Sequence, residues 1–189
     1  MNMFDTLTTR LYERDPLPPL FPTAPWTASL SDRILTASDY DLFGDDRLWN
    51  TEMALACRCG LLLWNDDIEA AHAIAQMQDN ATYNFWHAIV HRREGDFSNS
   101  QYWWSKTGVH PVFPAIYDGA VPRLGKETIA PAVEFARELR TAGAWMPTPF
   151  VARCETAQRQ KSADEWLRKV QAVEMRVLLQ WCRTAMAPV

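Results

Sequence analysis

Three of the four histidines fall within residues 86–113, where their spacing suits metal or proton chemistry. If this stretch begins with a helix, His87 and His91 lie one turn apart and Glu94 follows on the same face. Two imidazoles and a carboxylate can bind a divalent metal ion such as zinc or iron and leave a position for water. The same groups can instead exchange protons near neutral pH. His87, His91 and Glu94 are therefore the candidate metal ligands.

A wider polar pocket is predicted around these residues, because the chain should reverse just after them. Gly95–Asp96 permits a tight turn, so the helices before and after it should run antiparallel, with axes about 8–10 Å apart. His91 then lies opposite Asn99, and Gly108 ends the second helix so that the loop at His110 folds back over the first helix. The pocket between these two helices is predicted to comprise His87, His91, Arg92, Glu94, Asn99, Tyr102, Trp103 and His110.

The role of this group stays open between three interpretations. It can be a metal site with a further ligand from a loop, a metal-free polar pocket for a small molecule, or a structural hydrogen-bond network in the core. Arg92 suits bidentate binding of an anionic ligand, whereas Arg93 suits the negative end of the helix dipole. Of the neighbouring Trp103 and Trp104, only one can point into the core, and the other should line a groove or an interface.

The same stretch carries an extended signature. Residues 86–103 read Trp-His-Ala-Ile-x-His-Arg-Arg-Glu-Gly-Asp-x-x-Asn-x-x-Tyr-Trp, and residues 108–111 read Gly-x-His-Pro. In this pattern the chain resembles a family of bacterial proteins of unknown function. The resemblance covers little of the chain beyond this stretch, and it implies a bacterial protein without implying an activity.

The sequence predicts an all-α protein, because helical spacing of apolar residues recurs and no convincing alternating strand pattern occurs. Residues 109–124 contain three prolines and are predicted to be irregular. Helices are predicted after Asp45–Asp46 to about 64, over 68–77, 80–93, 98–106 and 128–140, and from 148 onward, with a new start at a capping box over 162–165.

Residues 51–108 form a weak internal repeat. Residues 62–71 align with 91–100, and each unit has an apolar helix, a polar turn and a return helix with a small residue. This arrangement resembles a tetratricopeptide-type hairpin, in which small residues let two paired helices approach. Antiparallel helical hairpins are therefore predicted over this part of the chain.

Two domain-level features flank these hairpins. Five of the twelve prolines lie in residues 15–30, so residues 1–30 are predicted to form a proline-rich arm on a single helical domain of residues 31–189. The C-terminal helix is predicted to bury one apolar stripe in the core. That stripe consists of Trp166, Val170, Val173, Val177 and Trp181.

Composition restricts the partners and the compartment. With 19 Lys and Arg against 23 Asp and Glu, the formal charge is −4, which argues against nucleic acid and anionic membranes as partners. No stretch approaches the roughly 18–20 apolar residues of a membrane span. The N-terminus shows no signal peptide, so the four cysteines are predicted to be free thiols in a cytoplasmic protein.

Two functions follow from these features. The first is a small-molecule-binding or catalytic helical protein whose polar residues converge on a pocket. The second is an interaction scaffold that contacts a partner protein or a second copy of itself, with a purely structural histidine cluster. Familiar hydrolase and nucleotide-binding motifs are absent from the sequence, and Ala88 stands where a zinc metalloprotease motif would require Glu.

Overall fold

The structure, a computed structural model, describes residues 2–44, 50–162 and 165–186. The predicted all-α fold is confirmed, because the described residues form helices and no strand. These helices are α1 (Met3–Tyr12), α2 (Ala28–Thr36), α3 (Asp39–Phe43), α4 (Thr51–Trp64), α5 (Ile68–Ala75), α6 (Ala81–Glu94), α7 (Phe97–Thr107), α8 (Phe113–Leu124), α9 (Ala130–Ala142), α10 (Pro147–Gln160) and α11 (Glu165–Ala185).

Helix α6 occupies the centre of the molecule. Every residue from 82 to 93 is buried, although half of them are polar or charged. Helices α4, α5 and α7 pack around α6, and α11 packs on α4 and α8. Because α6 is surrounded, each of its polar side chains must find a partner inside the protein or face an internal cavity.

The α6–α7 hairpin has the predicted antiparallel register. Gly95 adopts the left-handed conformation that ends α6, with φ of 86°, and the Asp96 side chain accepts a hydrogen bond from the Asn99 N–H at 3.1 Å. Across the hairpin, the Ser100 hydroxyl donates to the Ala88 carbonyl at 2.8 Å. The reversal therefore sets α7 directly against the face of α6 that carries the histidines.

The other predicted hairpin is also present as a pair of packed helices, α4 and α5. Asn65, Asp66 and Asp67 form the turn between them, and Asp66 has a positive φ of 63°. The Cys59 thiol on α4 lies 3.4 Å from the Ala71 carbonyl on α5. The likeness of these hairpins to tetratricopeptide pairing stays a prediction.

Residues 109–124 were wrongly predicted to be irregular, since most of them form α8. Pro114 lies in the first helical turn, where its missing N–H has no helical partner to lose. Pro122 lies in the last turn. Ile116, Ala120 and Leu124 form a buried face at helical spacing, and this burial outweighs the proline signal.

The N-terminal residues 1–30, predicted to form a proline-rich arm, contain helical structure as well. This segment begins with α1, whose Phe4, Leu7 and Leu11 are buried, and α2 already starts at Ala28. Between these helices, residues 13–27 lie along the body of the protein, and we call residues 16–25 the strap. Next to the strap, the Trp26 N–H donates to the Asn65 carbonyl at 2.7 Å, which joins this segment to the α4–α5 turn.

The C-terminal stripe is core, as predicted. Trp166, Val170 and Val173 are buried, while Val177 and Trp181 are partly buried against the core. A separate final helix is also confirmed, because α10 ends at Gln160 and α11 includes Glu165. The middle of the predicted capping box, at 163–164, and the predicted helix start after Asp45–Asp46 lie outside the described residues.

The four cysteines are buried and form no disulfide bond within the part of the chain that the structure describes, in agreement with the sequence analysis. Burial raises the pKa of the Cys57 and Cys59 thiols well above the ordinary value. These thiols are therefore packing residues, because a protonated and inaccessible thiol is a poor nucleophile and a poor metal ligand.

Candidate functional site

Three histidines from two helices meet beside the α6–α7 hairpin. His72 comes from α5, and His87 and His91 come from α6. Each imidazole offers one ring nitrogen, and these three nitrogens lie within 4.8 Å of one another. The three ring centroids are 4.7–4.8 Å apart, so the rings form a nearly equilateral triangle. We call these residues the histidine cluster.

Sequence reasoning named His87 and His91 but missed His72. His72 lies on a different helix, so helical spacing alone does not relate it to the other two. The available signal was the order of the helices. The short turn before Asn80 makes α5 a neighbour of α6, and the two helices pack against each other.

Glu94 connects two members of the cluster. Its carboxylate oxygens lie 2.8 Å from His91 Nδ1 and 3.4 Å from His72 Nδ1. The Glu94 carboxylate accepts a hydrogen bond from His91 Nδ1, so this nitrogen carries the proton and His91 Nε2 presents a lone pair. Glu94 therefore orients the His91 imidazole and lies within ion-pair distance of His72.

His87 occupies the least satisfied position in the cluster. Its Nε2 lies 2.9 Å from His72 Nε2, while its Nδ1 is buried and has no hydrogen-bond partner among the described residues. The Trp103 ring stacks on the imidazole at a centroid distance of 3.9 Å. Burial, with the neighbouring His91 and His72, lowers the pKa of His87 to about 4. His87 is therefore a neutral imidazole at physiological pH.

Asn99 completes the wall opposite His91. Its amide nitrogen donates to His91 Nε2 at 3.1 Å, which confirms the predicted juxtaposition of these two residues across the hairpin. Burial lowers the pKa of His91, and the nearby Glu94 carboxylate opposes that shift. Trp103 is half-buried against the cluster and Trp104 is core, so the predicted division of the two tryptophans is confirmed.

A cleft of about 750 Å³ opens beside the cluster. One wall is strap residues 22–25, the other is the start of α5, and the cluster side is formed by His72 and Glu94. The predicted pocket was placed between α6 and α7, whereas this cleft lies on the α5 side. The cleft differs in position from the predicted pocket because His72, which the prediction did not include, belongs to α5.

The cleft has acidic walls. Asp67, Glu69 and Glu94 line it, and among the described lining residues there is no Lys or Arg. A fourth carboxylate, Asp66, also lines the cleft but is neutralised by ion pairs with Arg14 and Arg93. The available charge in the cleft is therefore negative.

Two buried arginines hold the strap that forms one wall. Arg93 donates to the Pro19 carbonyl at 2.9 Å, and Arg14 donates to the Pro16 carbonyl at 3.3 Å. Both guanidinium groups also pair with Asp66 in the α4–α5 turn. Arg93 was predicted to complement a helix dipole, and the structure instead makes it an anchor of the cleft wall.

Arg92 and Tyr102 lie apart from the cluster. Arg92 is buried on another face of α6, where it pairs with Glu174 at 2.6 Å and lies over the Phe150 ring at 4.7 Å. It cannot reach a ligand in the cleft, so its predicted role as an anion clamp is corrected. Tyr102 is 54% exposed and packs on Trp103 edge to face.

His110 is buried in a separate structural network. Its Nε2 lies 3.2 Å from the Thr82 hydroxyl, and its Nδ1 accepts a hydrogen bond from the Val112 N–H at 3.3 Å. The Trp181 ring packs edge to face on the imidazole. Both ring nitrogens are thus satisfied. His110 was predicted to line the pocket with His87 and His91, and this prediction is wrong because His110 lies outside the histidine cluster.

Replacing His110 with glutamine is expected to flatten the dependence of stability on pH. Burial lowers the pKa of His110 to about 4, below the value of about 6.5 for an unfolded chain. Between these values the unfolded state binds more protons, so stability falls as the pH falls. In the variant, the free energy of unfolding should depend less steeply on pH, by up to about 1.4 kcal/mol per pH unit. Urea unfolding from about pH 7 to about pH 5 measures this slope, and a variant as steep as the unmodified protein would contradict the prediction.

The chain was compared with protein-family models, curated proteins and solved structures, and none of them matches it. The resemblance of residues 86–111 to a bacterial family therefore stays a prediction.

Proposed function

We propose that the protein binds a small polar molecule in the cleft beside the histidine cluster, and that His72 and Glu94 are its proton-exchanging contacts. The observation that carries this proposal is their shared position. His72 Nδ1 lies 3.4 Å from Glu94, and both residues line the cleft while belonging to the buried cluster behind it. A cavity with a few convergent polar groups is the usual form of a ligand site.

The charge of the cleft indicates the class of ligand. Asp67, Glu69 and Glu94 supply carboxylates, and the nearby Arg14 and Arg93 are occupied by Asp66. An anionic ligand would meet repulsion, whereas an amine would meet complementary charge and hydrogen-bond acceptors. We therefore assign small amines to this cleft.

The His72–Glu94 pair supports acid–base work on such a ligand, because a proton can pass between His72 Nδ1 and a Glu94 oxygen 3.4 Å away at the edge of the cleft. The Glu94 oxygens can also accept hydrogen bonds from an ammonium group that keeps its charge. The pair thus supplies the acceptor that an incoming ammonium group needs.

Small amines are expected to stabilise the protein, and carboxylates of similar size are not. With n-butylamine and putrescine as probes, a concentration ten times the Kd should add about 1.4 kcal/mol to the free energy of unfolding. Glu69→Gln removes one wall carboxylate and should weaken amine binding about five-fold, as expected for one partly exposed charge pair. Isothermal titration calorimetry and thermal unfolding measure both effects.

Asp118→Asn is the matched control, because Asp118 is an exposed acid that lines a different cleft near Val109 and Tyr117. It should bind amines like the unmodified protein. Equal responses to amines and carboxylates, or equal losses in the two variants, would contradict the proposal. Those outcomes would favour the alternative function, an interaction scaffold in which the cluster is structural.

The location and the partners of the protein are indicated only by general features of its helices and cysteines. Among the described helices, none has the length and apolar character needed to cross a lipid bilayer. We propose a cytoplasmic location, because Cys57, Cys59 and Cys182 are buried and form no disulfide bond among the described residues. Self-association and the lack of nucleic-acid binding stay predictions from the sequence.

A further inference from the structure

We propose that the histidine cluster binds a divalent transition-metal ion, with His72, His87 and His91 as ligands and Glu94 as the residue that positions two of them. This inference extends the proposed function. Only its last step, the access of a cleft ligand to the metal ion, rests on that proposed function. Binding of the metal itself needs only the three imidazoles.

The arrangement of the three donors is close to that of a metal site. Zinc–nitrogen bonds are about 2.0–2.1 Å long, which sets nitrogens on one tetrahedral ion about 3.4 Å apart. The Nε2 atoms of His72 and His87 are 2.9 Å apart, and the three donor nitrogens all fall within 4.8 Å of one another. Side-chain rotations that bring these nitrogens to about 3.4 Å from one another would place all three on one ion.

A purely structural role leaves the cluster incompletely satisfied. His110 shows how this protein packs a structural histidine, with Thr82 and Val112 bonded to its two nitrogens. In contrast, His87 Nε2 bonds only to another imidazole, that of His72, and His87 Nδ1 has no partner among the described residues. Leaving a buried polar atom unpaired costs about 1–3 kcal/mol. A metal ion would take the place of the proton between the two Nε2 atoms, and the coordinated imidazoles would carry their protons on Nδ1.

Glu94 has the place of an outer carboxylate rather than a ligand. It accepts from Nδ1 of His91 and lies within ion-pair distance of Nδ1 of His72. Metal-binding histidines commonly donate their second nitrogen to a carboxylate in this way, which fixes the tautomer and the ring orientation. The sequence analysis named Glu94 as a ligand, and the geometry reassigns it to orienting two of the three.

The cleft side of the cluster provides the remaining coordination position. His72 is half-buried and lines the cleft together with Glu94, so an ion held by three imidazoles would face that opening. Three protein ligands with one open position are typical of catalytic zinc sites. On the opposite side, Asn99 donates to His91 Nε2 at 3.1 Å and would release this hydrogen bond when His91 coordinates.

Cobalt(II) titration of the metal-stripped full-length protein tests the inference directly. We expect one equivalent of cobalt(II) to bind, with visible d–d absorption of a low-coordinate site, and zinc(II) to displace it. His72→Ala should weaken cobalt binding on the order of 100-fold, and Glu94→Gln should weaken it about 10–100-fold. His91→Gln serves as a second ligand variant, and circular dichroism confirms that each variant folds.

His110→Gln is the matched control, because it removes the one histidine outside the cluster. It should bind cobalt(II) like the unmodified protein. A lack of stoichiometric cobalt absorption in the unmodified protein would overturn the inference, as would an equal loss in His110→Gln and His72→Ala. Titrating metal-free protein with putrescine separates the two proposals. Amine binding without cobalt binding refutes only the metal site, and cobalt binding without amine binding supports the metal site while refuting the amine assignment.

Discussion

Replacing Arg93 with leucine is expected to lower the free energy of unfolding by about 3–5 kcal/mol, because it breaks a fully buried ion pair and leaves the partner charge behind. The guanidinium group pairs with Asp66 and donates to the Leu63 and Pro19 carbonyls. Leucine satisfies none of these acceptors. Asp66 keeps a second partner in Arg14, which limits the loss to this range.

Urea unfolding measures this loss, and Arg153→Leu provides a matched control. Arg153 pairs with Glu138 near the surface at 2.8 Å, so its replacement should cost less than about 1 kcal/mol. Arg93→Leu should also weaken amine binding, because Arg93 holds the strap wall of the cleft through Pro19. A loss in Arg93→Leu as small as that in Arg153→Leu would show that the strap is held by its apolar contacts alone.

Replacing Arg92 with leucine is expected to cost about 3–5 kcal/mol, and replacing Glu174 with leucine in the same protein should restore most of the loss. The two side chains form a buried ion pair at 2.6 Å. Removing Arg92 alone leaves a carboxylate in an apolar environment, where burial already raises the pKa of Glu174. Removing both partners leaves no uncompensated charge.

A double-mutant cycle with Arg92→Leu, Glu174→Leu and the combined variant measures this coupling. The pair is only partly satisfied, since Nε and Nη1 of Arg92 and Oε1 of Glu174 have no hydrogen-bond partner among the described residues. An incompletely bonded pair is the kind that apolar side chains replace well. Simple addition of the two single losses in the combined variant would refute the expected coupling. Cobalt binding should be unchanged in the combined variant, because Arg92 does not contact the cluster.

Local patterns predicted the α6–α7 part of the site accurately. The Gly95–Asp96 reversal and helical spacing together place His91 against Asn99, and this contact is present. Of Tyr102 and Trp103, both predicted to belong to the pocket, only Trp103 stacks on His87. Both inferences use only neighbouring elements joined by a two-residue turn. In such a hairpin the register follows from the turn, so few other arrangements exist.

The same reasoning failed where a side chain had two plausible environments. Arg92 and His110 are polar residues that could have faced a ligand, but each has its partner inside the protein, Glu174 and Thr82 respectively. Glu174 lies 82 residues from Arg92 along the chain. A sequence pattern reports that a residue is polar, whereas burial and pairing depend on the helices that pack against it.

The sequence by itself determined the helical class, the hairpin at Gly95–Asp96 and the concentration of imidazoles on one face of α6, because these depend on spacing and on local turn chemistry. Tertiary structure decided that His72 joins His87 and His91, and that the strap closes one side of a cleft beside them. Those features arise from packing between helices and from buried contacts between distant residues. Such contacts are selected by the free energy of the whole core, which no local window of sequence contains.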